Sequence, residues 1–182
     1  MTTDGGGRHL GPPDEADLTI EGGGLVLHPV RASDAPALAP VLDDLALHVH
    51  TGGVPRSLDA LRAWFTALET RLSPDKTELW LTWVVLTDAQ PCGYVQATVR
   101  GNEAELAWVI GTAFQSRGKA STSIRLIVDW TTSVLQVDDF CAAIGPSNTA
   151  SQRVAEKTGF VRTDEFIDGE AIWRRVGETV RS

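Results

Sequence analysis

The chain has 182 residues, 42% hydrophobic and 22% charged, enough for one soluble domain with a sizeable core. Its net charge of -8 excludes general nucleic-acid binding, which needs a basic surface to displace counterions from phosphates. The longest apolar stretch, Leu79 to Leu86, is too short to span a membrane, and no Cys-x-x-Cys pair or Cys/His cluster offers a zinc site.

Residues 1–17 are rich in Gly, Pro, Asp and Glu and lack a basic region followed by an apolar run. They are expected to form a disordered tail, not a signal peptide, ahead of a single domain over residues 18–182. Leu25 to Val30 predicts the first strand. A helix starts at Ser33-Asp34-Ala35 and runs through Leu38, Val41, Leu42 and Leu45. His48 to Arg56, with Gly52-Gly53 and Pro55, predicts a loop. Ser57 caps a second helix that places Leu58, Leu61, Trp64, Phe65, Leu68 and Leu72 on one face. Three strands of a meander follow, Trp80 to Thr87, Gly93 to Arg100 and Glu103 to Ile110, separated by turn residues.

The pattern then changes. Gly118 to Val134 has helical spacing, and Phe140 to Ile144 reads as a short buried strand. Asn148 opens a helix that stops at Gly159, and Phe160–Val161 and Ala171–Val176 supply the last strands. About seven strands and four helices in this order predict an α/β fold of the α+β kind, a central mixed, mostly antiparallel sheet with helices on its faces. Cys92 and Cys141 lie in apolar strand-like segments and are expected to be reduced, buried thiols of a cytoplasmic protein.

No Asp or Glu occurs between Leu106 and Val128, where Arg117, Lys119 and Arg125 stand, or between Phe140 and Ala155. In a chain with 24 acidic residues these gaps mark a locally positive region. The run Gln115-Ser116-Arg117-Gly118-Lys119-Ala120 lies where a strand gives way to a helix. Free backbone N–H groups and the helix dipole make such a place a phosphate cradle. It is neither a P-loop nor a dinucleotide fingerprint, because the Lys-Ser/Thr ending is absent and the run follows a meander.

Three segments together resemble the GNAT acetyltransferase superfamily, and most of all its branch of ribosomal-protein N-terminal acetyltransferases. Ala104 to Ile110 is similar to the family's fourth strand. Gln115 to Ala120 is similar to its Gln/Arg-x-x-Gly-x-Gly/Ala pyrophosphate loop. Asn148 to Phe160 is similar to the branch's Asn-x-x-Ser-x-x-x-x-Glu-Lys-x-Gly-Phe signature. The resemblance implies that acetyl-CoA, or another acyl-CoA, is the cosubstrate, with no metal. It places the pyrophosphate on the backbone around Arg117, Gly118, Lys119 and Ala120, with Gln115, Ser116 and Ser121 as further cofactor-binding residues. It sets the pantetheine arm beside Val109 and Ile110 like an added strand, with Asn148 and Ser151 at its thiol end. The partners it implies are the acyl-CoA and an amine acceptor, a small molecule or a protein N-terminus, and it leaves a homodimer open.

Acyl transfer to an amine needs a base for the ammonium, stabilisation of the thioester oxygen and a proton for the thiolate. Glu105 is the candidate base, on the strand face it shares with Ala107 and Val109, with Glu103 as substitute. Ser151 is the candidate at the thiol end. Many members of the superfamily carry a tyrosine acid four positions further on, where this chain has Ala155, and the only tyrosine, Tyr94, lies in a strand as a structural residue. His48, His50, Trp80, Trp83, Trp108, Asp43, Asp44 and Asp59 are further residues that an acceptor pocket can draw on. The leading reading is N-acetyl transfer. Two alternatives stay open, a catalytically silent acyl-CoA-binding domain and a phosphate-binding module unrelated to coenzyme A.

Overall fold

The structure is a computed structural model and describes residues 11–51 and 54–176. Eight strands form one sheet: β1 (Ile20–Gly22), β2 (Leu25–Pro29), β3 (Leu79–Thr87), β4 (Gln90–Arg100), β5 (Glu103–Ile110), β6 (Asp139–Ile144), β7 (Val161–Ile167) and β8 (Glu170–Val176). Their order is β1-β2-β3-β4-β5-β6-β8-β7. Among the described residues five helices accompany them: α1 (Ala35–Leu42), α2 (Leu45–Thr51), α3 (Leu58–Leu68), α4 (Lys119–Leu135) and α5 (Thr149–Lys157). This is the mixed, mostly antiparallel architecture expected from the sequence, with one more strand and one more helix.

The additions have local causes. β1 is three residues long, too short to show a period, and pairs with β2 through Ile20 and Leu27. The helix expected to run on to Leu45 stops at Leu42. Asp44 then starts α2, its Oδ1 accepting from Ala46 N–H at 2.8 Å. His48 therefore sits on a helix, not in a loop, and its Nε2 meets Leu42 O at 3.1 Å. The His50 side chain and Gly52-Gly53 lie outside the described residues. α3 is capped by Ser57, whose Oγ accepts from Ala60 N–H at 3.3 Å. It ends before Leu72, because Arg71 turns left-handed at φ 58° and its carbonyl accepts from Trp80 N–H. β7 is longer than Phe160–Val161. It is an edge strand exposed along nearly its whole length, so no alternation marks it in the sequence.

Part of the expected tail is placed. Residues 1–10 lie outside the described set, but Glu15–Leu18 form a 3-10 turn. Trp83 Nε1 donates to Leu18 O at 2.7 Å and Trp130 Nε1 to Asp17 O at 2.9 Å, while Glu15 pairs with Arg31 and Arg71. Leu18 is 1% exposed and belongs to the core.

Two apolar layers hold the sheet. On one face α4 presses Ile124, Ile127 and Val128 onto Leu27, Leu81, Trp83, Val95, Ala104 and Leu106. On the other, α1 and α3 close over Val84 with Leu38, Leu61, Phe65 and Leu68. Strand alternation sends Glu103, Glu105 and Ala107 to this second face. β5 and β6 are the only parallel neighbours among the described strands, and they pair over just three positions, Glu103–Glu105 with Asp139–Cys141. Beyond Glu105 they part. β6 continues along β8 up to Ile144, and β5 runs on along β4 to Ile110.

Candidate active site

The parting of β5 and β6 opens a cleft of about 440 Å³, roofed by the start of α4, one face of α5 and the first turn of α2. Along it, Trp108 to Ile110 present a strand edge with no partner on the β6 side. Backbone N–H and C=O groups on such an edge can hydrogen-bond an extended amide-bearing ligand.

At one end of the cleft the chain leaves β5 through a 3-10 turn and enters α4. Gln115 Nε2 donates to Ile110 O at 2.8 Å and clamps this turn to the strand. Ser116 has φ 61° and Gly118 has φ 75°, both left-handed. A Cβ on Gly118 meets nothing within 4 Å, so glycine is needed there for its dihedral and not for space. These left-handed residues turn the chain sharply into α4, and a turn of this kind can gather backbone N–H groups into a concavity that suits an anion. The first helical bond runs from Thr122 N–H to Gly118 O, so the N–H groups of Lys119, Ala120 and Ser121 have no helical acceptor. Gln115, Ser116, Gly118, Lys119, Ala120 and Ser121 line the cleft.

The side chains of the two flanking cations behave otherwise. Lys119 Nζ donates to Thr87 Oγ1 at 2.7 Å, and Arg117 is exposed and is not among the residues lining the cleft. Besides Lys119, the cations that line the cleft are Arg153 and Lys157, one turn apart on α5. Neither is among the cofactor-binding residues expected from the sequence, where Lys157 figures only in the signature that ends at Phe160. The acid-free stretch from Phe140 to Ala155 contained the signal for Arg153, but only packing shows which face of α5 looks inward.

Across the cleft, Asn148 caps α5 through Oδ1, which accepts from Ser151 N–H at 3.1 Å. Its Nδ2 has no hydrogen-bond partner among the described residues. Ser151 lines the cleft, and its hydroxyl has no hydrogen-bond partner among the described residues. Ala155 is fully buried and belongs to the core.

Glu105 does not line this cleft. It stands at the vertex of the parting strands, on the face toward α1 and α3, 45% exposed and 3.8 Å from Arg100 Nη1. Glu103 lies nearby, 4.0 Å from Arg174, which also reaches Asp139 at 3.5 Å and Glu165 at 3.4 Å. Cys141 Sγ donates to Glu103 Oε1 at 3.4 Å. Burial, followed by the Glu103 carboxylate, pushes this thiol up to about 12. Cys92 is raised by burial as well, so neither thiol is poised as a nucleophile. Of the tryptophans considered, Trp108 lines the cleft, Trp83 is core, and Trp80 donates to Glu78 at 2.8 Å. Among the described residues no group of three or more metal-binding side chains occurs.

The chain matches the family model described as Acetyltransferase (GNAT) domain over residues 24–161. No protein with a curated description matches it. Among solved structures, an acetyltransferase from Salmonella typhimurium that modifies the N-terminal serine of a 50S ribosomal subunit protein aligns with a TM-score of 0.75. The two share 15% identity over 88% of this chain and 99% of that one. An aminoglycoside acetyltransferase solved with coenzyme A aligns at 0.70, with 16% identity over 84% and 94% of the two chains. A GNAT acetyltransferase from Bacillus anthracis aligns at 0.72, with 16% identity over 87% and 98%. At such identities the structural likeness carries the fold alone. With the family match spanning most of the sequence, the chain belongs to the GNAT acetyltransferase family.

Proposed function

We propose that the protein transfers an acetyl group from acetyl-CoA to a primary amine, either a protein N-terminus or a small-molecule amine. The observation that carries this reading is the parting of β5 and β6. It leaves a free strand edge, with an anion-binding helix start at one end and a carboxylate, Glu105, at its vertex.

The residues fit coenzyme A. The N–H groups from Gly118 to Ser121 suit a pyrophosphate, with Ser116 shaping the concavity and Arg153 and Lys157 adding charge beside it. Val109 and Ile110 suit the pantetheine amides. Asn148 and Ser151 face the cleft from α5, where the Ser151 hydroxyl is free to hydrogen-bond a sulfur or give it a proton. Glu105 opens to the opposite face of the sheet, so acyl donor and amine meet through the gap between the strands. Its carboxylate would take the ammonium proton, directly or through water, and Arg100 stands 3.8 Å away. The net charge of -8 suits a cationic acceptor. The setting we infer is cytoplasmic, consistent with two free, buried cysteines.

The relatives' acceptors, an aminoglycoside in one case and a ribosomal-protein N-terminus in another, define the panel to test. Incubation with acetyl-CoA and a panel of aminoglycosides, polyamines and N-terminal peptides, read by thiol release, is expected to show turnover with at least one class. Acetyl-CoA binding without thiol release across the panel supports the second reading instead, a catalytically silent acyl-CoA-binding domain. Alanine at position 155, where the resemblance implies a tyrosine acid in many members, favours that second reading.

A further inference from the structure

Tyr94, the only tyrosine of the chain, lies on the sheet face that carries Glu105. The β4–β5 register sets Tyr94 beside Val109, Gln96 beside Ala107 and Thr98 beside Glu105. Over β3 this face is closed, with Thr82 and Val84 buried. Over β4 and β5 it stays open. Glu105 and Ala107 are exposed, and Tyr94, Gln96, Thr98 and Val109 are half-buried. Gln96 Nε2 donates to Thr82 Oγ1 at 3.0 Å, which turns that amide toward β3 and away from Ala107. A shallow strip of sheet surface therefore runs from Glu105 to Tyr94.

The Tyr94 end of the strip is firmly built. The phenol ring meets Trp64 of α3 edge to face, with centroids 5.5 Å apart and planes at 75°. Arg56, in the segment that leads into α3, lays its guanidinium over the same indole, 4.6 Å from the centroid. Burial pushes the Tyr94 hydroxyl up, and the Arg56 charge opposes this without cancelling it, so the group is a protonated donor at neutral pH. It has no hydrogen-bond partner among the described residues. The buried side-chain atoms that lack one there are Arg71 Nε, Asp139 Oδ1 and Trp173 Nε1. The Tyr94 hydroxyl is not one of them, so it reaches open surface. Packing thus fixes a free O–H with a guanidinium nearby at one end of the strip, and a carboxylate stands at the other.

We propose that Tyr94 and Arg56 hold a carbonyl or carboxylate oxygen of the acceptor, which makes the acceptor an amine with such a group a short way from its nitrogen, as at a peptide N-terminus. This rests on the reading of the protein as an N-acetyltransferase. β5 and β6 separate just beyond Glu105, so the amine meets the thioester over Ala107. Val109, the neighbour of Tyr94, lies two residues further along β5, about 7 Å at the rise of a strand. An extended dipeptide covers about the same span from its amine to its second carbonyl. A polyamine offers no oxygen to the two donors and brings a second cation toward Arg56, which repels it.

The test compares two acceptors, tetra-alanine amide and spermidine, in thiol-release kinetics with acetyl-CoA. Wild type is expected to favour the peptide by about tenfold in kcat/KM. Tyr94→Phe keeps the ring against Trp64 and removes only the hydroxyl. It should raise KM for the peptide about tenfold, with kcat within about twofold and acetyl-CoA affinity unchanged. Arg56→Gln, at an exposed position, should shift the same KM in the same direction and decides the point if Tyr94→Phe folds poorly. A role in packing alone would leave the peptide KM where it was. An unchanged peptide KM in folded Tyr94→Phe, or a wild-type preference for spermidine, overturns the assignment and leaves acetyl transfer standing. Calorimetric titration of tetra-alanine amide into protein saturated with free coenzyme A reads the same contact without turnover. If neither amine releases thiol, the transferase reading loses its support and this titration decides the contact. Weaker binding by Tyr94→Phe then upholds it, and equal binding or none overturns it.

Discussion

Ser151 and Glu105 occupy opposite sides of the same gap, and their substitutions should separate. Glu105→Gln keeps the shape and removes the base, so turnover on a true acceptor should fall by ~10²–10⁴-fold with acetyl-CoA affinity unchanged. Ser151→Ala should lower turnover and also loosen acetyl-CoA slightly, because its unbonded hydroxyl lies in the cofactor cleft. Stopped-assay kinetics with calorimetry on the same samples check both. Cys141 should be inert. With its thiol pushed up to about 12, iodoacetamide at pH 8 should leave no adduct on the native protein, as mass spectrometry would show, and should label it only after unfolding. These residues differ in how far the sequence disclosed them. The face of Glu105 follows from strand alternation alone. The partners of Cys141 do not, since Glu103 and Arg174 come from strands distant in the chain.

At the scale of elements, α4 and α5 were legible because their signals are local. A glycine at the α4 start, an asparagine cap and a glycine stop on α5 all act within a few residues of the helix ends. α2 was not legible. Its apolar residues Leu45 and Val49 face outward, and Leu45 extends the period of α1 and misleads. The inward face of α5 was hidden for a related reason, since its charged residues sit on both sides. Arg153→Ala with Lys157→Ala should weaken acetyl-CoA binding by about tenfold and steepen with falling salt, because both cations are solvent-exposed and screened. The unliganded melting temperature should hardly move. Ser57→Ala removes the cap of α3 and should cost ~1 kcal/mol in urea unfolding, with binding untouched.

For the molecule as a whole, the acid side of the stability curve has an assignable sign. Hydrogen bonds from Arg31 and then Arg71 lower the Glu15 carboxyl, and those from Arg100 and then Trp80 lower Glu78. The Ser73 hydroxyl and Thr77 lower Asp75, while the Thr112 hydroxyl and the Ala46 amide lower Asp44. Each folded value lies below the unfolded one. Their contributions are therefore complete above the ordinary carboxylate range near ~4 and are lost as pH falls through the folded values. The melting temperature should stay level from neutral pH down to about 5 and then drop, which a calorimetric pH series would show. The layered sheet itself followed from the order of elements, whereas the three-residue seam between β5 and β6 did not, because no local pattern records where two strands part. The placed segment at the other end of the chain has a practical consequence for fluorescence. Trp83 and Trp130 stack edge to face with centroids 5.6 Å apart, and their indole N–H groups hold consecutive carbonyls of the first turn. Deleting residues 1–13 leaves that pair covered, and the emission maximum should not move. Deleting residues 1–18 uncovers both indoles, and the tryptophan emission should shift to longer wavelength, which makes the protein's own light a gauge of how far it can be trimmed.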